Sequence, residues 1–218
     1  MAALAAMTAA MLTAHDPITT KVTWSREISR LIARRCLGCH REGGSAMALG
    51  TYEEARPWAK AIKEQALNRT MPPWGAVKGF GAFQNDTGLT QAEIELIGDW
   101  VEGGAPMGDP AFLPKAAPLS AVAAPRFRQT IPVSGSLRLA KGVTLVGIRP
   151  GAVTRESMQM VARLPGGRVE PLLWLYRYDA RFAHDFYLAK PAALPAGTVI
   201  EGGRDVALLV NPGSSPAR

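Results

Sequence analysis

A chain of 218 residues is long enough for one large domain or two small ones, and an apolar fraction of 47% marks it as globular rather than disordered. Its net charge of +7 suits a surface that meets acidic partners or, weakly, an anionic membrane, and no nucleic-acid-binding motif accompanies that charge. There are only two cysteines, both in one short motif, which excludes a disulfide framework.

Residues 1–14 are an alanine-rich, uncharged apolar run ahead of His15-Asp16-Pro17. The stretch 1–20 has the character of a secretory leader that lacks a basic n-region, and it is too short to span a bilayer as a helix. Ser25 is placed to cap a helix whose apolar residues Ile28, Leu31 and Ile32 share a face, with Arg26, Arg30, Arg34 and Arg35 mostly off it. That helix leads into Cys36-Leu37-Gly38-Cys39-His40.

The pattern C-x-x-C-H is the haem c attachment signature. Thiols at this spacing lie on one turn and can each form a thioether to a haem vinyl group, while the following histidine ligates the iron through an imidazole nitrogen. A thioredoxin-like redox pair would follow a strand of a βαβ unit, whereas an amphipathic helical pattern precedes Cys36. Zinc requires four ligands, and beyond Cys36, Cys39 and His40 only His15 and His184 remain, neither at zinc-finger spacing.

Arg41-Glu42-Gly43-Gly44-Ser45 reads as a loop, and Thr51 with Glu54 forms a capping box for a second helix through Trp58, Ile62 and Leu67. Pro57 predicts a kink or two short pieces near Arg56. Met71-Pro72-Pro73-Trp74 follows, then an irregular glycine-rich loop through Gly75, Gly79, Gly81 and Gly88. Thr90 and Glu93 open a closing helix with Ile94, Ile97, Trp100 and Val101 on one stripe, ending at Gly103-Gly104. Trp58, Trp74 and Trp100 are expected to pack around this helical, haem-bearing region.

A distal methionine must reach the iron from the face opposite His40. Met47 follows His40 by a very short loop, and Met107 comes after the closing helix, so Met71 is the expected distal ligand, its backbone stiffened by Pro72-Pro73. The alternative is a core methionine with the sixth position open or otherwise filled.

From residue 105 to 125 the composition turns to alanine and proline, which reads as a stiff linker. Beyond it the period alternates: 143–148, 158–164, 168–176, 186–188, 198–200 and 207–210 read as short strands of an antiparallel sandwich, with Met158 and Met160 in its core. His184-Asp185 could form an acid-base pair, weighed against a surface or turn role.

Residues 22–109 resemble the class I c-type cytochromes through Cys36-Leu37-Gly38-Cys39-His40, Met71-Pro72 and the helix opened by Thr90. More narrowly, the stretch from Thr51-Tyr52-Glu53-Glu54-Ala55-Arg56-Pro57-Trp58 to Met71-Pro72-Pro73-Trp74 resembles cytochrome domains fused to copper-monooxygenase-like regions in large soil-bacterial proteins. Residues 137–212 resemble the C-terminal β-sandwich of the copper type II, ascorbate-dependent monooxygenases through Gly147-Ile148-Arg149-Pro150, Leu164-Pro165-Gly166-Gly167-Arg168, Arg177-Tyr178-Asp179 and Leu194-Pro195-Ala196-Gly197-Thr198. That family places a His-x-His copper pair just after the arginine-proline; here Gly151-Ala152-Val153 stands there, so no copper is expected.

Together these imply a leader (1–20), an all-α cytochrome c domain (21–109), a proline- and alanine-rich linker (110–125) and an all-β antiparallel sandwich without copper ligands (126–218). The implied function is that of a monohaem electron carrier with one haem c on Cys36, Cys39, His40 and Met71, periplasmic or otherwise extracytoplasmic in a bacterium, because covalent haem attachment in the c-type family takes place outside the cytoplasm. The alternatives are a peroxidase-like haem enzyme, an electron-donating subunit of a monooxygenase complex, or a sensor or scaffold using haem structurally. The redox partner is not named by the sequence.

Overall fold

A computed structural model describes residues 21–115, 122–151 and 157–213. The leader, His15, the middle of the linker and Val153 lie outside the described residues.

The first element among the described residues is a wide π-helical turn, Trp24–Ile28, that runs into α1 (Ser29–Arg35). Thr23, not Ser25, is the cap. Its extended backbone lets the hydroxyl accept from the Arg26 N–H at 3.4 Å, while Glu27 reaches back to the Thr23 N–H at 2.9 Å. Ser25 is buried instead. α2 (Tyr52–Ala55) and α4 (Gln91–Glu102) carry the expected capping boxes, Thr51 with Glu54 and Thr90 with Glu93. Pro57 lies in a 3-10 turn, Arg56–Trp58, that separates α2 from α3 (Ala59–Leu67), which is the expected kink. Trp24, Ile28, Ile32, Leu49, Ala55 and Trp100 form one apolar cluster between these helices.

Six antiparallel strands follow: β1 (Gln129–Arg138), β2 (Val143–Pro150), β3 (Met158–Arg163), β4 (Val169–Leu175), β5 (Phe186–Leu194) and β6 (Val199–Pro212). They form one sheet in the order β4-β3-β6-β2-β5, with β1 also paired to β6. β6 holds β1 through both of its halves, while β3 takes its first residues and β2 its last. A strand shared in this way must bend where its neighbours part. Gly202 stands at that bend with φ +82°, and a Cβ there would collide with the Gln159 carbonyl. Met158 and Met160 are buried in the core, as expected.

The stretch between α3 and α4 joins the sheet. Tyr176 N–H donates to Gly75 O at 2.9 Å and Val77 N–H to Trp174 O at 2.9 Å, at the end of β4. Gln84 N–H donates to Tyr187 O at 2.9 Å and Ala189 N–H to Ala82 O at 2.8 Å, along β5. β4 and β5 are the two ends of the strand order, so residues 75–84 bridge both edges and satisfy backbone groups that would otherwise be open.

The expected all-α cytochrome domain followed by a sandwich is therefore corrected. Among the described residues the structure is mostly β, with one curled antiparallel sheet of six strands preceded by short helices of 7, 4, 9 and 12 residues. The physical cause lies in the glycine-rich segment, which gives its hydrogen bonds to the sheet instead of wrapping the helices. Trp74 belongs to the sheet's core cluster, Trp100 is buried among the helices, and Trp58 is exposed, so the three tryptophans do not share one region.

Candidate haem-attachment turn

Helix α1 ends at Arg35, and the chain folds at once into a compact loop. Cys36 N–H still donates to Ile32 O at 2.8 Å, and the N–H groups of Cys39 and His40 both turn back onto Cys36 O, at 3.1 and 2.9 Å. Leu49 N–H donates to His40 O at 2.9 Å and Ala46 N–H to Cys39 O at 3.3 Å, which closes the loop. Its tight part requires glycine, because a Cβ on Gly44 would collide with the carbonyls of Cys39 and Arg41.

Arg35 fixes the entrance to this loop. Its Nε lies 3.0 Å from Glu93 Oε1 on α4, and its Nη1 donates to Asp86 O at 2.8 Å. Burial raises the Glu93 carboxyl, but hydrogen bonds from the Thr90 backbone and from Arg35 outweigh it and hold the group below its ordinary value.

The two thiols differ. Cys36 is half-buried and packs against the cluster of Trp24, Ile28 and Ile32; Cys39 is exposed. Desolvation pushes the Cys36 thiol up to about 12, against the opposing charge of Arg35. Reactive C-x-x-C thiols sit in exposed, electropositive surroundings that lower the thiol, and the apolar packing around Cys36 acts in the opposite direction. It is compatible with a thiol consumed in a thioether.

The His40 ring has Nδ1 2.9 Å from Met47 O. A carbonyl only accepts, so Nδ1 carries a proton, and in the neutral ring Nε2 then carries the lone pair, the tautomer a metal-ligating imidazole requires. Among the described residues no three His, Cys, Asp or Glu side chains gather around a common point, so Cys36, Cys39 and His40 do not form a tetrahedral cage. Thioethers need no such convergence, because they attach to the porphyrin periphery while the imidazole meets the iron. The residues of this turn fit a haem c.

Met71 is half-buried and follows α3, with its N–H directed to Gln65 O at 3.3 Å. Of the other methionines, Met47 is 50% exposed and lends its carbonyl to His40, and Met107 packs among the helices.

His184 and Asp185 face different partners. Asp185 accepts two bonds from Arg149, at 2.7 and 2.8 Å, whereas His184 Nδ1 lies 2.8 Å from Phe182 O and its ring stacks on Trp74. They do not form an acid-base pair. This stack was not legible in the sequence, since nothing local links the two positions. Gly151, where the copper family's first histidine would stand, donates its N–H to Asp205 O at 2.6 Å. No helix among the described residues is long and apolar enough to cross a membrane.

A scan against protein-family models, a search of curated proteins and a search of solved structures find no match for this chain.

Proposed function

We propose that this chain is an exported monohaem c-type electron carrier in which Cys36 and Cys39 hold one haem c, His40 is the proximal ligand and Met71 the distal one. The observation that carries the reading is the His40 ring: within a C-x-x-C-H turn, its Nδ1–H is spent on Met47 O and its Nε2 lone pair is left for iron. When bound, the haem supplies an iron that exchanges one electron. The chain's part is to hold and orient it. Arg35, tied to Glu93 and Asp86, sets the approach of the cysteines, and Cys36 places one attachment point against an apolar wall.

The sheet has a docking or structural role and takes no copper, since glycine stands where the resembled family has its first copper histidine. Its carboxylates Glu170, Asp179, Asp185 and Glu201 are each paired with an arginine, while Lys141, Arg177 and Lys190 are exposed. A redox partner with an acidic face suits such a surface. Membrane contact by the same charge would be weak.

The test is the spectrum of the reduced protein, exported with its haem, with and without carbon monoxide. A six-coordinate carrier keeps its spectrum. Rapid carbon monoxide binding would favour a peroxidase-like haem enzyme with an open iron position, and haem that extracts into acidic organic solvent would overturn covalent attachment altogether.

A further inference from the structure

Met71 lies between two anchors. On its N-terminal side the N–H groups of Thr70 and Met71 both bond Gln65 O, at 3.0 and 3.3 Å, which ties the residue to α3. On its C-terminal side, three residues on, Trp74 is 5% exposed within the core of the sheet. Its indole stacks on the His184 ring at 5.1 Å and 20° and meets Phe83 and Phe186 edge-on at 5.8 and 4.7 Å. Between the anchors, Pro72 and Pro73 restrict the backbone, and Trp74 N–H closes back on Pro72 O at 2.8 Å.

The His184 ring is kept here despite a polar cost. Its Nε2 is buried with no hydrogen-bond partner among the described residues, and burial of that kind is unfavourable.

We infer that Trp74 and His184 are positioning residues for the distal ligand: the sheet holds Trp74, and Trp74 holds Met71 at the iron. This rests on the reading of Met71 as distal ligand. The sheet is then the scaffold of the haem site, which a merely appended module would not be.

The experiment uses the full-length, haem-loaded ferric protein, with imidazole as competitor for the sixth position and the near-infrared sulfur-to-iron band as a second readout. Trp74→Ala and His184→Ala should each weaken the band and tighten imidazole binding by about tenfold, the equivalent of one lost aromatic stack. Trp74→Phe and His184→Phe, which keep a ring in place, should restore most of both. Where Trp74→Ala does not fold, His184→Ala decides, because it leaves the chain next to Met71 intact. Unchanged band and imidazole affinity in folded His184→Ala would overturn the inference. Met71→Ala separates the two levels of the argument. If that variant keeps the band, the ligand reading fails; if it loses the band while the ring variants keep theirs, the ligand reading stands and the positioning role is wrong.

Discussion

Arg35, the residue immediately before Cys36, is clamped between α4 and the segment that enters the sheet, with Nε 3.0 Å from Glu93 Oε1 and Nη1 2.8 Å from Asp86 O. One guanidinium thus joins the attachment turn to the capping box of the last helix. Its flat fork is suited to two acceptors at once, which a lysine could not match.

Glu93→Gln should cost about 2 kcal/mol, since it removes charge-assisted bonds from a largely shielded pair. The pH dependence follows from the lowered Glu93 carboxyl. A carboxyl held below its unfolded value contributes stability in full above that value and loses it as the pH falls through the folded one. The gap between wild type and Glu93→Gln in urea unfolding should therefore be widest near neutrality and narrow below about pH 4.5. A gap that widens on acidification would contradict this account of the pair.

The two cysteines should react unequally in protein prepared without haem. Cys39 is exposed, whereas Cys36 is half-buried and its thiol is pushed up to about 12 by desolvation, so little of it is thiolate near neutrality. Brief alkylation of haem-free protein with iodoacetamide, followed by peptide mass mapping, should label Cys39 first by roughly tenfold or more. Equal labelling would mean that the apolar wall around Cys36 does not form without haem.

Gly44→Ala should destabilise the attachment loop, because the added methyl meets two carbonyls that are fixed by the turn around Cys39. A forced shift of packed backbone of this kind costs about 1–3 kcal/mol. Reduced yield of haem-loaded protein together with a lowered unfolding midpoint would bear this out, while Gly43→Ala, with open space around its Cβ, separates crowding from the strain of a positive φ.

Much of the helical part was legible because its signals are local. Thr51 with Glu54 and Thr90 with Glu93 are complete within four residues, and Pro57 marks its own break. The sheet was legible in its alternating strands and illegible where pairing is remote. Residues 198–200 and 207–210 read as two separate short strands, yet β6 runs through both with a bend at Gly202, since β1 spans the junction on the other edge. β1 was not legible because Pro132 and Gly135 interrupt the alternation of Ile131, Val133 and Leu137, and only Val133 is fully buried along it. Residues 75–84 are poor in strand-forming residues and pair with strands far along the chain, so no window of sequence could place them in a sheet. At the site, the C-x-x-C-H spacing fixed the chemistry to be sought; the Met47 carbonyl behind His40 and the Trp74 stack on His184 depend on tertiary packing and had no sequence signal.

The identity of the distal ligand is the sharpest remaining prediction. A thioether at the sixth position favours ferrous over ferric iron, so the potential depends on which methionine, if any, arrives there. Met47 is poorly placed for the opposite side of the His40 ring: its own carbonyl is bonded by that ring, and it is 50% exposed. Met107 is taken up in the packing of the helices, with its carbonyl bonded by Ser25 N–H at 3.0 Å. Met71 is half-buried, fixed on both sides, and preceded by enough chain after His40 to cross a haem edge. Met71→Ala should abolish the near-infrared band of the oxidised protein, open the ferrous iron to carbon monoxide and lower the potential, whereas Met47→Ala and Met107→Ala should leave the band in place. Loss of the band in Met107→Ala with Met71→Ala unaffected would reassign the ligand and, with it, the part of the fold that controls the iron.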